Sequence, residues 1–162
     1  MQGDALANPF IKHNHRRCRD SGLREAKAYC SENGLRLTPV RARVLEIMLE
    51  AHRALGAYDI LERLRADGLG GQPPVVYRAL DFLVAHGFVH RLERLNAFTA
   101  CAHPSEDHEA MFLICGDCHR VAEAPLAPLT GKIDGIAVSM GFDVSARTVE
   151  VVGRCPSCQV PA

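Results

Sequence analysis

The stretch Pro73-Pro74-Val75-Val76-Tyr77-Arg78-Ala79-Leu80-Asp81-Phe82-Leu83-Val84-Ala85-His86-Gly87-Phe88-Val89-His90-Arg91-Leu92 decides the fold, because its hydrophobic period changes partway along. The two prolines suit the first turn of a helix, where a missing N–H costs nothing. Val76, Ala79, Leu80 and Leu83 then recur at helical spacing, and Gly87 supplies the stop. From Phe88 onward the pattern is that of strands: Phe88–Leu92 and Phe98–Ala100 read as a hairpin turned around Asn96. A helix running directly into a hairpin predicts the last helix and the wing of a winged helix-turn-helix, in which that helix enters the major groove and the wing lies on the backbone beside it.

The residues upstream supply the helices such a unit needs. Leu23, Ala26, Tyr29 and Cys30 fall on one helical face, stopped by Asn33-Gly34. Thr38-Pro39 is a strong start for the next helix, whose apolar face is Val40, Val44, Leu45, Met48 and Leu49. A third begins near Ala57, buries Ile60, Leu61 and Leu64, and ends at Asp67-Gly68. Glu62 and Arg65 lie on its exposed side, placed for an intrahelical pair or for contact between neighbouring dimers. Residues 1–20 lack an apolar period and read as a flexible arm, although His13, His15 and Cys18 are metal-binding types.

Beyond residue 100 the texture changes. Met111–Cys115 and Arg120–Ala124 predict strands, Leu126–Met140 a helix, and Phe142–Val152 a long alternating strand. Two Cys-x-x-Cys pairs, Cys115/Cys118 and Cys155/Cys158, bracket this unit among turn-forming residues. That spacing lets both sulfurs of a pair bind one ion, and four thiolates suit a structural tetrahedral zinc. The overall class is therefore α+β. A winged-helix domain over 21–100, including a hinge, precedes a zinc-containing α/β domain over 101–162.

The composition fits this division. Residues 1–100 carry 15 Lys and Arg against 11 Asp and Glu, whereas 101–162 carry 4 against 8. A basic first part suits a nucleic-acid partner. Met1–Phe10 lacks the apolar core of a secretory signal and no apolar run approaches membrane length, so a cytoplasmic protein without membrane contact is expected. Seven cysteines in such a chain point to metal rather than disulfides.

The run from Pro73 to Leu80, with Gly87-Phe88-Val89-His90, Leu35-Arg36-Leu37-Thr38-Pro39, Ala57-Tyr58-Asp59 and both cysteine pairs in order, resembles the ferric-uptake-regulator superfamily. Within it the likeness is to the zinc-uptake-regulator branch, and it spans Leu35 to Cys158. The resemblance implies a homodimeric repressor that binds palindromic DNA operators of zinc-uptake genes when zinc-loaded, with two zinc ions per protomer. One ion would be held by the four paired cysteines. Arg78 and Tyr58 match the residues expected to touch DNA. Tyr77 either faces the groove or packs on the core. Val75 departs from the family, which usually has Ser or Thr there.

The same resemblance assigns the sensing site to His90, Cys101, His108 and Glu123. One thiolate, two imidazoles and one carboxylate suit tetrahedral zinc. His103, two residues from Cys101, is the rival of His108. A histidine such as His90 at a strand start is more often a surface residue, and Cys101 taken alone is an ordinary buried thiol. Glu106, Asp107 and Glu109 could simply solvate the loop. His52, His86 and His119 read as solvated or capping residues. The iron-type branch carries a histidine-rich run where this chain has Ala110 and Phe112, which leaves an iron, manganese or peroxide sensor as the alternative.

No catalytic residues are expected. His108-Glu109 are adjacent rather than spaced as in zinc deaminases, and no His-Glu-x-x-His helix exists. Four protein ligands would also leave no open position on the ion for water.

Overall fold

The computed structural model describes residues 9–10, 15–104 and 108–160, and it divides into two compact units, Ile11–Glu106 and, together with residues 9–10, Asp107–Ala162. His13, Glu106 and Asp107 lie outside the described residues.

The first unit contains helices α1 (His15–Glu32), α2 (Pro39–Ala51), α3 (Ala57–Ala66) and α4 (Pro73–Ala85), then strands β1 (Val89–Leu92) and β2 (Ala97–Ala100). α1 begins at His15, so part of the expected arm is helical. Once Leu23, Ala26, Tyr29 and Cys30 pack inward, extending the helix backward adds one hydrogen bond per residue at small cost. Thr38 caps α2 as its spacing predicts: its hydroxyl oxygen accepts the Arg41 N–H at 3.3 Å. In α3 the Asp59 carboxylate accepts the backbone N–H of Gly56 at 2.9 Å, which fixes the entry to the helix.

One core holds this unit together. Val44, Leu45, Ile47 and Met48 of α2 meet Ile60, Leu61 and Leu64 of α3 and Val76, Ala79, Leu80 and Leu83 of α4. Gly87 turns the chain out of α4 at φ +75°, a conformation that favours glycine. β1 and β2 then pair antiparallel, Val89 opposite Ala100 and Leu92 opposite Ala97. Leu55 adds a third edge by exchanging both backbone hydrogen bonds with Phe98, at 2.9 and 2.8 Å. The wing is thus tied to the segment before α3.

The second unit is a three-stranded sheet in the order β4-β3-β5, made of β3 (Ala110–Cys115), β4 (Val121–Pro125) and β5 (Val149–Gly153). β3 pairs antiparallel with β4 and parallel with β5, and α5 (Ala127–Ser139) makes the crossover. A one-turn α6 (Pro156–Gln159) follows. The expected strand over 142–152 is shorter than its alternation suggests. β3 offers partners only for Val149–Gly153, and among the described residues 142–148 have no neighbouring strand. α5 holds despite Gly131 and Gly135, whose missing side chains face open space. No helix among the described residues is long and apolar enough to cross a membrane.

Candidate metal centres and nucleic-acid interface

The four paired cysteines converge in the second unit. Cys115 ends β3, Cys118 lies on the turn toward β4, and Cys155 and Cys158 sit at the start and within α6. Their ligand atoms lie within 4.8 Å of one another. The sulfurs of Cys118 and Cys155 are 3.7 Å apart. A tetrahedral ion with metal–sulfur bonds of ~2.3 Å would hold its sulfurs roughly 3.8 Å apart, so the residues fit zinc. The backbone brings the two loops together: Gly116 N–H donates to Gly153 C=O at 2.9 Å, continuing the β3–β5 ladder into the cysteine turns.

The electrostatics suit thiolate ligands. Backbone N–H groups of Cys118 and then Cys155 aimed at the Cys115 sulfur bring its thiol down to about 6. Cys158 is pushed up to about 12, first by hydrogen bonding with the Cys155 sulfur and then by burial. Burial is also the main cause raising Cys118. A first thiolate forms readily at Cys115, and an incoming cation must displace protons held among the others.

Sequence reasoning missed a clamp around this cluster. Arg154 donates from Nε to Asp117 Oδ2 at 2.8 Å and from Nη2 to the Cys158 carbonyl, joining the interior of one pair to the end of the other. The opposite charges of Asp117 and Arg154 were visible in the sequence, but nothing in their spacing brought them together.

The expected sensing residues form one pair in each unit. In the first, Cys101 lies just past β2 with its N–H donating to Phe88 C=O at 2.9 Å, and His90 occupies the middle of β1. Their ligand atoms lie within 4.8 Å. Cys101 is buried, and its sulfur accepts the backbone N–H of His103 at 3.4 Å. In the second unit the His108 Nε2 is hydrogen-bonded to Glu123 Oε1, and the Glu123 side chain is only 6% exposed. His108 is thus joined to Glu123 by a side-chain hydrogen bond. Glu109 accepts a hydrogen bond from Arg147 at 2.8 Å, so it does more than solvate the loop.

The residues expected at DNA lie on the outer side of α3 and α4. Tyr58 is 68% and Tyr77 43% exposed, and both border one small crevice with Pro73 and Val76. Tyr77 is thus not a core residue. Arg78 is exposed on the next position, its Nε donating to Pro74 C=O at 3.2 Å. His86, expected to be solvated or capping, occupies the C-cap of α4 against the rings of Phe82 and Tyr29.

A helix-turn-helix with a β-hairpin wing, followed by an α/β unit that gathers four thiols, defines a winged-helix protein with a metal-binding second unit. The family model "Ferric uptake regulator family" matches residues 32–152, and the chain belongs to that family. The zinc uptake regulation protein of Escherichia coli (strain K12) is 36% identical over 137 residues, 84% of this chain and 80% of that protein. A structure described as a zinc uptake regulator complexed with zinc and DNA is 35% identical with a TM-score of 0.80, covering 86% of this chain and 94% of that one. The crystal structure of holo XcZur is 45% identical with a TM-score of 0.75, covering 86% and 97%.

Proposed function

We propose that this chain is a zinc-responsive transcriptional repressor that, as a homodimer carrying two zinc ions per protomer, binds palindromic operators of zinc-uptake genes. The observation that carries the reading is the division of labour among the donors. Four thiols make a closed cluster inside one unit, whereas His90 with Cys101 and His108 with Glu123 make two incomplete pairs, one in each unit. Neither pair alone completes a tetrahedral site. A zinc ion that collects both pairs locks the two units into one arrangement, and in a symmetric dimer this fixes the spacing of two α4 helices against two half-sites. The likeness to a zinc uptake regulation protein and to a zinc uptake regulator complexed with zinc and DNA supports the same reading.

The dimer reading rests on α5 and the residues after it. α5 buries none of its side chains, and Ile136, Val138, Met140 and Phe142 are 64%, 73%, 79% and 65% exposed. Ile136, Met140 and Phe142 line one apolar surface, and an exposed surface of this kind calls for a protein partner. On α3 and α4, Tyr58, Tyr77 and Arg78 present two rings and a guanidinium fork suited to a guanine edge.

The test is binding of purified protein to a palindromic duplex across zinc and ferrous iron concentrations, for the wild type, His90→Ala and Cys101→Ser. Zinc-stimulated binding by the wild type alone is expected, with all three proteins folded and dimeric. Equal zinc stimulation of all three would defeat the sensing assignment. Stimulation by iron but not zinc would mark an iron sensor.

A further inference from the structure

The turn between α3 and α4 is built from residues with little shape of their own. Gly68 stands at φ +70°, and Gly71 has open space where a side chain would be. The start of α4 also lacks the usual anchor: Gln72 makes no capping side-chain hydrogen bond, Pro73 and Pro74 have no N–H, and Val75 has no hydroxyl. Yet this is the turn that delivers Tyr77 and Arg78 to the outer surface.

Two arginines fix it. Arg43 of α2 donates from Nε to Asp67 Oδ2 at 2.7 Å, holding the beginning of the turn. Arg65 of α3 donates from both Nε, at 3.2 Å, and Nη2, at 2.8 Å, to the carbonyl of Gly71, one residue before the cap of α4. A planar fork with both N–H groups on one oxygen sets the direction of that carbonyl as well as its distance. Core packing through Val76, Ala79, Leu80 and Leu83 seats α4 on the core, and Arg65 adds a hold on the angle at which its N-terminal half leaves the turn. At a rise of ~1.5 Å per residue, Arg78 lies roughly 8 Å along the axis from the start of α4, where a swing of a few degrees moves its guanidinium by about an ångström.

We propose that Arg65 is a positioning residue for DNA recognition: it clamps the Gly71 carbonyl so that the entry of α4 is fixed, and with it the aim of Tyr77 and Arg78 on the following turn, before the operator arrives. The proposal rests on the operator-binding reading. It differs from both roles that the sequence suggests for Arg65, an intrahelical pair with Glu62 and a bridge between neighbouring dimers.

The test compares zinc-loaded wild type, Arg65→Met and the double variant Arg65→Met/Gly71→Ala. The probe is a duplex carrying one palindromic site, selected from a random-sequence pool by the zinc-loaded wild type. Arg65→Met is expected to keep its dimer and zinc content but lose about three- to tenfold in affinity, the scale of a charge-assisted hydrogen bond at an exposed site. The slope of log affinity against log salt should not change. Gly71→Ala should recover part of the loss, because Gly71 has room for a methyl group and alanine reduces the freedom of the unbound turn. Without DNA, amides of residues 69–73 should exchange faster in Arg65→Met than in the wild type. Unchanged affinity, a salt slope reduced by about 1 as for a lost phosphate contact, or a loss seen only on duplexes holding two dimers would each overturn the proposal. Failure of the wild type to select any site would instead defeat the operator reading, and the exchange measurement would still decide whether the clamp exists.

Discussion

The backbone N–H of Cys155 donates to the sulfur of Cys115 at 3.4 Å, although the two residues are 40 positions apart in the chain. This bond and the Gly116–Gly153 hydrogen bond show that the sheet itself assembles the four-thiol cluster, because β3 and β5 run parallel and end side by side. The metal would then join the end of β3 to the end of β5, which the chain reaches only after the α5 crossover. Structural zinc contributes an apparent ~10–16 kcal/mol in small zinc-dependent domains. Cys115→Ser, or exhaustive chelation of the wild type, is therefore expected to unfold the second unit while Ile11–Glu106 keeps its helices. Circular dichroism with amide exchange resolved by segment would show it; a second unit as protected as in the zinc-loaded wild type would contradict the structural role.

Arg154 provides a subtler test of the same centre. Its contacts with Asp117 and the Cys158 carbonyl tie the two cysteine loops together from outside the cluster, and it is well exposed to solvent. Outer contacts of this kind tune metal affinity by ~10–100-fold when sheltered, and water screening should reduce that here to about tenfold or less. Arg154→Ala should release zinc to a competing chelator faster than the wild type, and high salt should narrow the difference. Identical release at low salt would mean that the clamp does not act on the ion.

Much of this architecture was legible in the sequence, for identifiable reasons. The helix-to-hairpin change at Gly87 and the Thr38 cap are encoded by neighbours a few residues apart, and both stand where the spacing put them. The cysteine pairs were equally local. What the pattern concealed depended on distant partners. The alternation over 142–148 predicted a strand, but a strand exists only where another lies beside it, and β3 reaches only Val149–Gly153. Arg65 looked like half of a helical ion pair because its actual acceptor is a backbone carbonyl, which no residue type advertises. The link between His108 and Glu123 spans 15 positions, and resemblance rather than spacing supplied it.

That link yields a prediction for zinc sensing. Glu123 sits in the middle of β4 opposite Phe112, with its side chain nearly buried against His108. Glu123→Gln keeps the shape and a hydrogen-bonding oxygen but removes the negative charge that a zinc ligand supplies. The weaker zinc of the two should lose about 10–100-fold in affinity, by the scale of altered metal-site contacts, while the four-thiol ion stays bound. Competition with a chromophoric chelator, read as two separate binding steps, would report this. An unchanged weak step would remove Glu123 from the ligand set.

The exposed face of α5 makes a final prediction about assembly. Ile136 stands on a helix that buries no side chain of its own, and Met140 and Phe142 continue the apolar surface past its end. Isolated in water, so much apolar area is a liability, and covering one such side chain contributes about 1.5–3 kcal/mol. A two-fold dimer uses each patch twice, so Ile136→Asp places two buried charges in the interface and should weaken association by well over tenfold. Sedimentation equilibrium should then show a monomer at concentrations where the wild type is dimeric, with the four-thiol zinc retained because the cysteines lie at the opposite end of β3 and β5 from the α5 connections. A variant that stays fully dimeric would move the interface to another face of the chain.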